Sequence, residues 1–139
     1  LARGEAIALL GGRELWIKVR DRLQSPLRKV RVVSTAHGDK IGPLAGESAL
    51  ARYTMLSEPR GETRALLGAS WKHVEQAIQL RPATPFDDDR VAIQTWTYDP
   101  QVLAQNGIVD RLSLYLTIRN DPDERMAQAA EELLETYPW

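Results

Sequence analysis

The sequence predicts an α+β domain in which a small mixed or antiparallel sheet of about three strands is packed by four to five helices. Of the 139 residues, 43% are hydrophobic and 27% are charged, which is typical of a globular chain. Segments with apolar residues at helical spacing alternate with short segments rich in β-branched residues, and Gly and Pro punctuate the boundaries. A chain of this length buries roughly two-thirds of its unfolded surface, so we expect residues 1–139 to form one domain.

The first half of the chain predicts two helices and two strands. A helix over 13–23 follows from four apolar residues that form one stripe among charged residues. Three valines predict a strand over 29–35. Helical spacing returns over 46–56 and ends before Pro59, and residues 63–67 form a short candidate strand.

The middle of the chain adds a helix and the clearest strand. Ser70 is a suitable N-cap for a helix that ends before Pro82. Residues 90–98 alternate and are rich in Val, Ile, Thr and aromatic residues, which predicts a strand. A short helical turn over 100–104 and an Asn-Gly turn at 106–107 follow.

The last third of the chain contains one ambiguous segment and one clear helix. Residues 112–118 alternate strictly, as a strand does, yet they are rich in Leu and follow Asp110, a good N-cap. We favour a helix, because Leu is a strong helix former, and keep a strand as the alternative. The run DPDE at 121–124 supplies an N-cap, a proline at the first helical position and an acid that closes a capping box, which predicts a final helix over 122–136.

Composition excludes several classes of protein. The chain has no Cys, which excludes disulfides, thiolate metal sites and cysteine nucleophiles, and we expect a cytoplasmic protein. The longest apolar run, residues 6–10, is far shorter than the ~20 residues of a membrane helix, so no membrane partner is expected. Because the chain begins with Leu1, we expect a fragment or the C-terminal domain of a longer protein.

Charge is distributed unevenly along the chain. Residues 1–69 carry 12 Lys and Arg against 7 Asp and Glu, whereas residues 70–139 carry 6 against 12. Clustered positive charge attracts phosphate backbones, but lysines and arginines also protect edge strands from aggregation. Both interpretations stay open, together with an acidic protein partner or the acidic second half of the same molecule. The candidate nucleic-acid or acidic-partner contacts are Lys18, Arg20, Arg22, Arg28, Lys29 and Arg31.

The sequence offers few residues suited to catalysis or metal binding. The two histidines, His37 and His73, have no metal-ligand spacing around them, so we expect no metal site and no cofactor. His37 lies near Ser34 and Asp39, but catalytic triads assemble from distant positions, and a surface histidine is the preferred interpretation. The acidic run at 87–89 lacks the alternating ligands of a calcium loop and is interpreted as solvated charge. No glycine-rich phosphate loop is present.

Four segments carry a resemblance to a bacterial family. The segments are 42–53 (GPLAGESALARY), 96–100 (WTYDP), 109–116 (VDRLSLYL) and 123–125 (DER). In these segments, scattered between residues 42 and 134, the sequence is similar to predicted winged-helix transcriptional regulators of the abortive-infection type IV antitoxin kind. The resemblance implies that an N-terminal winged helix binds DNA and that a C-terminal mixed domain supports repression or antagonises a toxin.

Three functional hypotheses remain, of which the first two follow from the resemblance. The first is a non-enzymatic regulatory domain of a DNA-binding regulator or antitoxin, acting through protein contacts, with DNA bound by an N-terminal domain outside this chain and a toxin as partner. The second is a phosphate-handling enzyme related to nucleotidyltransferases, because residues 46–50 resemble their helix start and offer Ser48, although the paired Asp of the following strand is not found. The third is a homodimeric structural domain whose apolar strand face forms the interface.

Overall fold

A four-stranded mixed sheet is the centre of the computed structural model, which describes residues 12–139. Five helices surround the sheet in this part of the chain, so the predicted α+β class is confirmed, with one strand more than expected. Residues 6–10, the apolar run noted above, lie outside the described residues. The strands are β1 (Leu27–Ser34), β2 (Glu62–Leu67), β3 (Arg81–Pro82) and β4 (Arg90–Trp96), and the helices are α1 (Gly12–Val19), α2 (Gly46–Tyr53), α3 (Trp71–Ala77), α4 (Arg111–Ile118) and α5 (Glu124–Glu135).

The strands are ordered β2-β4-β1-β3 across the sheet. Strand β4 lies between an antiparallel neighbour, β1, and a parallel neighbour, β2, and its Ile93 faces Arg31 on one side and Arg64 on the other. Strand β3 is antiparallel to β1 and pairs only with Val33 and Ser34. The central position of β4 agrees with its composition, because it is the most buried of the four strands.

Helices cover the two faces of the sheet unequally. The larger core lies between the sheet and helices α2, α4 and α5, and it contains Trp96, Leu50, Leu114 and Leu133, which are each no more than 1% exposed. Val33, Leu66, Val91 and Ile93 form a smaller core on the opposite face, where the apolar side of α3 packs against them. Because side chains alternate along a strand, successive residues of β4 contribute to different cores.

The ends of the helices differ from the sequence predictions in three places. The first α-helix ends at Val19 and is followed by a 3-10 turn over Arg20–Arg22. The end of the predicted 13–23 helix is therefore not α-helical. Ser70 lies in a 3-10 turn and makes no capping hydrogen bond with its side chain. The last helix is capped by Asp123, whose carboxylate accepts from the Arg125 N–H, two residues later than predicted.

The ambiguous segment before the last helix is helical, as favoured. Asp110 caps α4, because its carboxylate accepts a hydrogen bond of 2.9 Å from the Ser113 N–H. Between residues 12 and 139, helices long and apolar enough to cross a membrane do not occur.

Candidate interaction surface on strand β1

Strand β1 is open along most of one edge. Strand β3 covers only its end, at Val33 and Ser34, and the Ala83 N–H extends this cover by donating to the Val32 carbonyl over 3.2 Å. Along 27–31, no strand of the described chain pairs with β1 on that side. An unpaired strand edge presents backbone donors and acceptors to whatever lies beside it. We call residues 27–31 the open edge of β1.

Two valines on β1 are exposed to solvent. Val30 is 51% exposed and Val32 is 44% exposed, although both lie within a sheet strand. They share a face with Ala92 and Gln94 of β4, which are their register partners. Helices α2, α4 and α5 pack on this face over the β2 and β4 side, where Trp96 and Ala65 are buried. The open edge therefore has an apolar strip next to it.

A hydrogen-bonded turn stands at the far end of this strip. The Asp87 carboxylate accepts from the Thr84 N–H at 2.7 Å and from both terminal nitrogens of Arg81. The Thr84 N–H and the Arg81 guanidinium hold the pKa of the Asp87 carboxyl below its usual range. Arg81 also donates to Ser34 Oγ, which places this 84–87 turn beside the end of β1. Phe86, at 92% exposure, is presented to solvent by the turn.

The six candidate cations form two separate groups, one at the end of α1 and one on β1. The α1 end of the group consists of Lys18 in the last turn of the helix and two arginines in the 3-10 turn that follows it. The β1 group contains Arg28 and Lys29, which are both exposed on the open edge. None of the six forms an ion pair with a carboxylate in residues 12–139. The full set is Lys18, Arg20, Arg22, Arg28, Lys29 and Arg31.

Arg31 differs from the other five, because it packs inward. Its guanidinium lies 4.4 Å from the centre of the Trp71 ring, which is the geometry of a cation–π contact. One of its terminal nitrogens is buried and has no hydrogen-bond acceptor in the described part of the chain. Arg31 shares a face with Ile93 and is half-buried under α3. It therefore helps to attach α3 to the sheet.

Arg119 fixes the turn that carries the other arginines. Its two terminal nitrogens donate to the carbonyls of Arg20 and Leu23 over 2.5 and 2.6 Å. Charged donors make stronger hydrogen bonds than neutral ones, so this pair ties the 3-10 turn to the end of α4. Trp16 of α1 adds an edge-to-face contact with Tyr115 of α4, with ring centres 6.0 Å apart.

The residues considered for catalysis or metal binding do not come together. His37 and His73 are both exposed, on a loop and on α3. The Oγ of Ser34 accepts a hydrogen bond from Arg81. Among residues 12–139, no group of three or more His, Asp or Glu side chains is placed to hold a metal ion. Ser48, suggested for phosphate chemistry, is buried in α2, and its Oγ accepts from the Thr63 N–H at 2.9 Å.

A second polar cluster, at the start of α4, has no counterpart in the sequence predictions. The hydroxyl oxygens of Tyr98 and Ser113 lie 2.5 Å apart, and the Tyr53 hydroxyl donates to the Val109 carbonyl at 2.9 Å. Burial raises the pKa of both tyrosines, and the neighbouring Asp110 carboxylate raises the pKa values further. Only the capping role of Asp110 could be predicted, because the other partners are distant in sequence.

Protein-family models, curated proteins and solved structures contain no match to this chain. The open edge of β1 is one of the surfaces of residues 12–139 where exposed apolar and basic side chains lie together, and its backbone is unpaired as well.

Proposed function

We propose that this chain is a non-enzymatic regulatory domain that acts through protein contacts, of the kind that serves DNA-binding regulators and antitoxins. The observation that carries the proposal is the open edge of β1, where unpaired backbone groups, two exposed valines and two exposed cations lie together. Such an edge is used widely for recognition, because backbone hydrogen bonds provide affinity and the flanking side chains provide specificity.

The physical state of this edge supports a role in binding. Val30 and Val32 each leave about half of their surface in water, and burying apolar surface contributes about 25 cal/mol per Å². Arg28 and Lys29 keep the edge hydrated in the free protein. A partner that pairs with the backbone buries the two valines and neutralises the two cations, and both changes favour binding.

The enzyme alternative has less support from the geometry. A phosphate-handling role for Ser48 requires a free hydroxyl, whereas the Ser48 Oγ is buried and accepts the Thr63 N–H. A homodimeric structural role uses the same β1 surface, with a second copy of the chain as the partner.

The proposal can be tested with a reporter gene placed behind the DNA upstream of the chain's own reading frame. The protein is expressed from its native reading frame as wild type, as Lys29→Glu and as Lys72→Glu. Lys72 is an exposed lysine of α3 and provides a matched charge reversal away from β1. Circular dichroism confirms that each variant is folded.

We expect Lys29→Glu to change reporter output several-fold and Lys72→Glu to leave it at the wild-type level. Equal output from all three proteins, together with magnesium-dependent nucleotide turnover by the purified chain, would reject the regulatory role in favour of the enzyme.

A further inference from the structure

We infer that the open edge of β1 binds an acidic, extended segment of a partner protein, which joins the sheet as an additional strand beside residues 27–31. This inference rests on the proposed function, and it specifies the chemistry of the partner. The length of the open edge, the alternation of its side chains and the positive charges of Arg28 and Lys29 support it.

The open edge sets the length of the segment that fits. Strand β3 and the Ala83 N–H cover β1 from Val32 onward, which leaves five residues without a strand on that side. At about 3.3 Å per residue, the open backbone is roughly 17 Å long. The register of β1 shifts between Leu27 and Lys29, so a bound segment pairs regularly beside 29–31 and has to follow the irregularity at Arg28.

From Lys29 onward, the side chains of the open edge alternate in chemistry. Val30 lies on the face that carries Val32, whereas Lys29 lies on the opposite face with its register partner Thr95. Residues on a bound strand alternate in the same way. The matching segment is apolar on the valine side and acidic on the lysine side, because carboxylates opposite Lys29 and near Arg28 form favourable cross-strand pairs.

A second copy of the chain fits this edge poorly. Antiparallel pairing of two β1 edges places Lys29 of one copy opposite Lys29 or Arg31 of the other, depending on the register. Like charges directly opposite each other are destabilising in a sheet. Carboxylates of an acidic segment would instead attract Lys29 and Arg28. The positive charges of the edge therefore favour a different protein over a second copy of this chain.

Strand β3 defines where the segment ends. It pairs with Val33 and Ser34, and the Ala83 N–H occupies the Val32 carbonyl on the same side of β1. A bound segment therefore cannot continue past Arg31.

The test uses the whole chain and three short fluorescent peptides. The first peptide alternates Glu with Val, the second alternates Lys with Val, and the third alternates Glu with Ser. Fluorescence anisotropy measures their binding to the wild-type chain and to Lys29→Glu, with Lys72→Glu as the control. We expect saturable binding of the Glu-Val peptide, with about tenfold lower affinity for Lys29→Glu and no change for Lys72→Glu.

Two further results separate strand addition from simple charge attraction. On Lys29→Glu, the Lys-Val peptide should gain affinity, because the charges are exchanged between the partners. Amide hydrogen exchange within 27–31 should slow when the Glu-Val peptide binds, whereas the Glu-Ser peptide should bind more weakly and protect less, because it lacks the apolar side.

Three outcomes would overturn the inference. One is equal binding of the Lys-Val and Glu-Val peptides to the wild-type chain. Another is an unchanged exchange rate within 27–31 when the Glu-Val peptide is bound. The third is a dimer, detected by sedimentation, that Val30→Lys converts to a monomer, because a second copy would then occupy the edge.

The inference and the proposed function can fail separately. If the Glu-Val peptide binds but the reporter does not respond to Lys29→Glu, the docking site is supported and the regulatory role is rejected. A reporter response without peptide binding would keep the regulatory role and reject the acidic strand.

Discussion

Gly42 is the position where the smallest substitution should have the largest structural effect. A Cβ atom added at Gly42 would lie 1.9 Å from the Ala65 carbonyl oxygen of β2, whereas real Cβ contacts essentially never fall below 3.0 Å. The Gly42→Ala variant can therefore fold only if the 42–45 segment moves away from β2 by about 1 Å.

The cost of this movement follows from the bonds that the segment makes. The Ala65 N–H donates to the Pro43 carbonyl over 3.0 Å, and the Ala45 N–H donates to the Thr63 carbonyl over 2.9 Å. A shift of about 1 Å takes both beyond hydrogen-bonding distance. Two lost hydrogen bonds at ~1 kcal/mol each, with about 1 kcal/mol of residual strain, give a loss of about 3 kcal/mol.

Urea unfolding followed by circular dichroism measures this loss, and a thermal scan should show a midpoint lower by roughly 6–12 °C. The matched control is Gly68→Ala at the other end of β2. Its nearest contact, the Trp96 carbonyl oxygen, lies at an ordinary 3.4 Å, so stability should stay within ~0.5 kcal/mol of the wild type. If the two variants proved equally stable, the close approach of Gly42 to β2 would be disproved.

Three other perturbations probe the core, the cap of α4 and the buried tyrosines. Leu50 is fully buried, so Leu50→Ala should lower the free energy of unfolding by ~2–5 kcal/mol in urea. Asp110→Ala should cost about 1 kcal/mol in the same assay, and Asp110→Asn, which keeps an acceptor for the Ser113 N–H, should recover most of it. Burial raises the pKa of Tyr53, Tyr98 and Tyr115 in the folded protein. The contribution of these protonated tyrosines to the free energy of unfolding is therefore complete below pH ~10, the pKa of an unfolded tyrosine, and is lost as the pH rises through their pKa values in the folded protein. Urea titrations on both sides of pH ~10 should show stability falling only on the alkaline side.

The sequence predicts the elements of this fold wherever local chemistry determines them. Helix α4 is an example, because the capping residue and the helix preference of Leu are both local. The alternation of residues 112–118, which is typical of a strand, has a physical cause. Five of the eight residues of α4 are buried, so no polar face marks the helical period. Strand β3 could not be predicted, because its two residues become a strand only by pairing with Val33 and Ser34, nearly fifty positions earlier.

The candidate surface was only partly predictable for the same reason. The valines and cations of residues 28–32 indicate an edge strand, and the open edge of β1 has that character. The inward packing of Arg31 depends on Trp71, which reaches the sheet through α3. Strand alternation places Arg31 and Lys29 on the same face of β1, so only the placement of α3, whose Trp71 lies against Arg31, distinguishes them.

The open edge of β1 exists although the chain has enough residues nearby to cover it. After β3, residues 83–89 could continue along β1 toward Val30, and covering the edge would need only four or five of them. In that register Pro85 would lie opposite Val30, and a proline has no N–H to donate to β1. The chain turns here instead, and the Asp87 carboxylate accepts hydrogen bonds from the Thr84 N–H, the Thr84 hydroxyl and the Arg81 guanidinium. Pro85 and the hydrogen bonds of the 84–87 turn therefore keep the edge open.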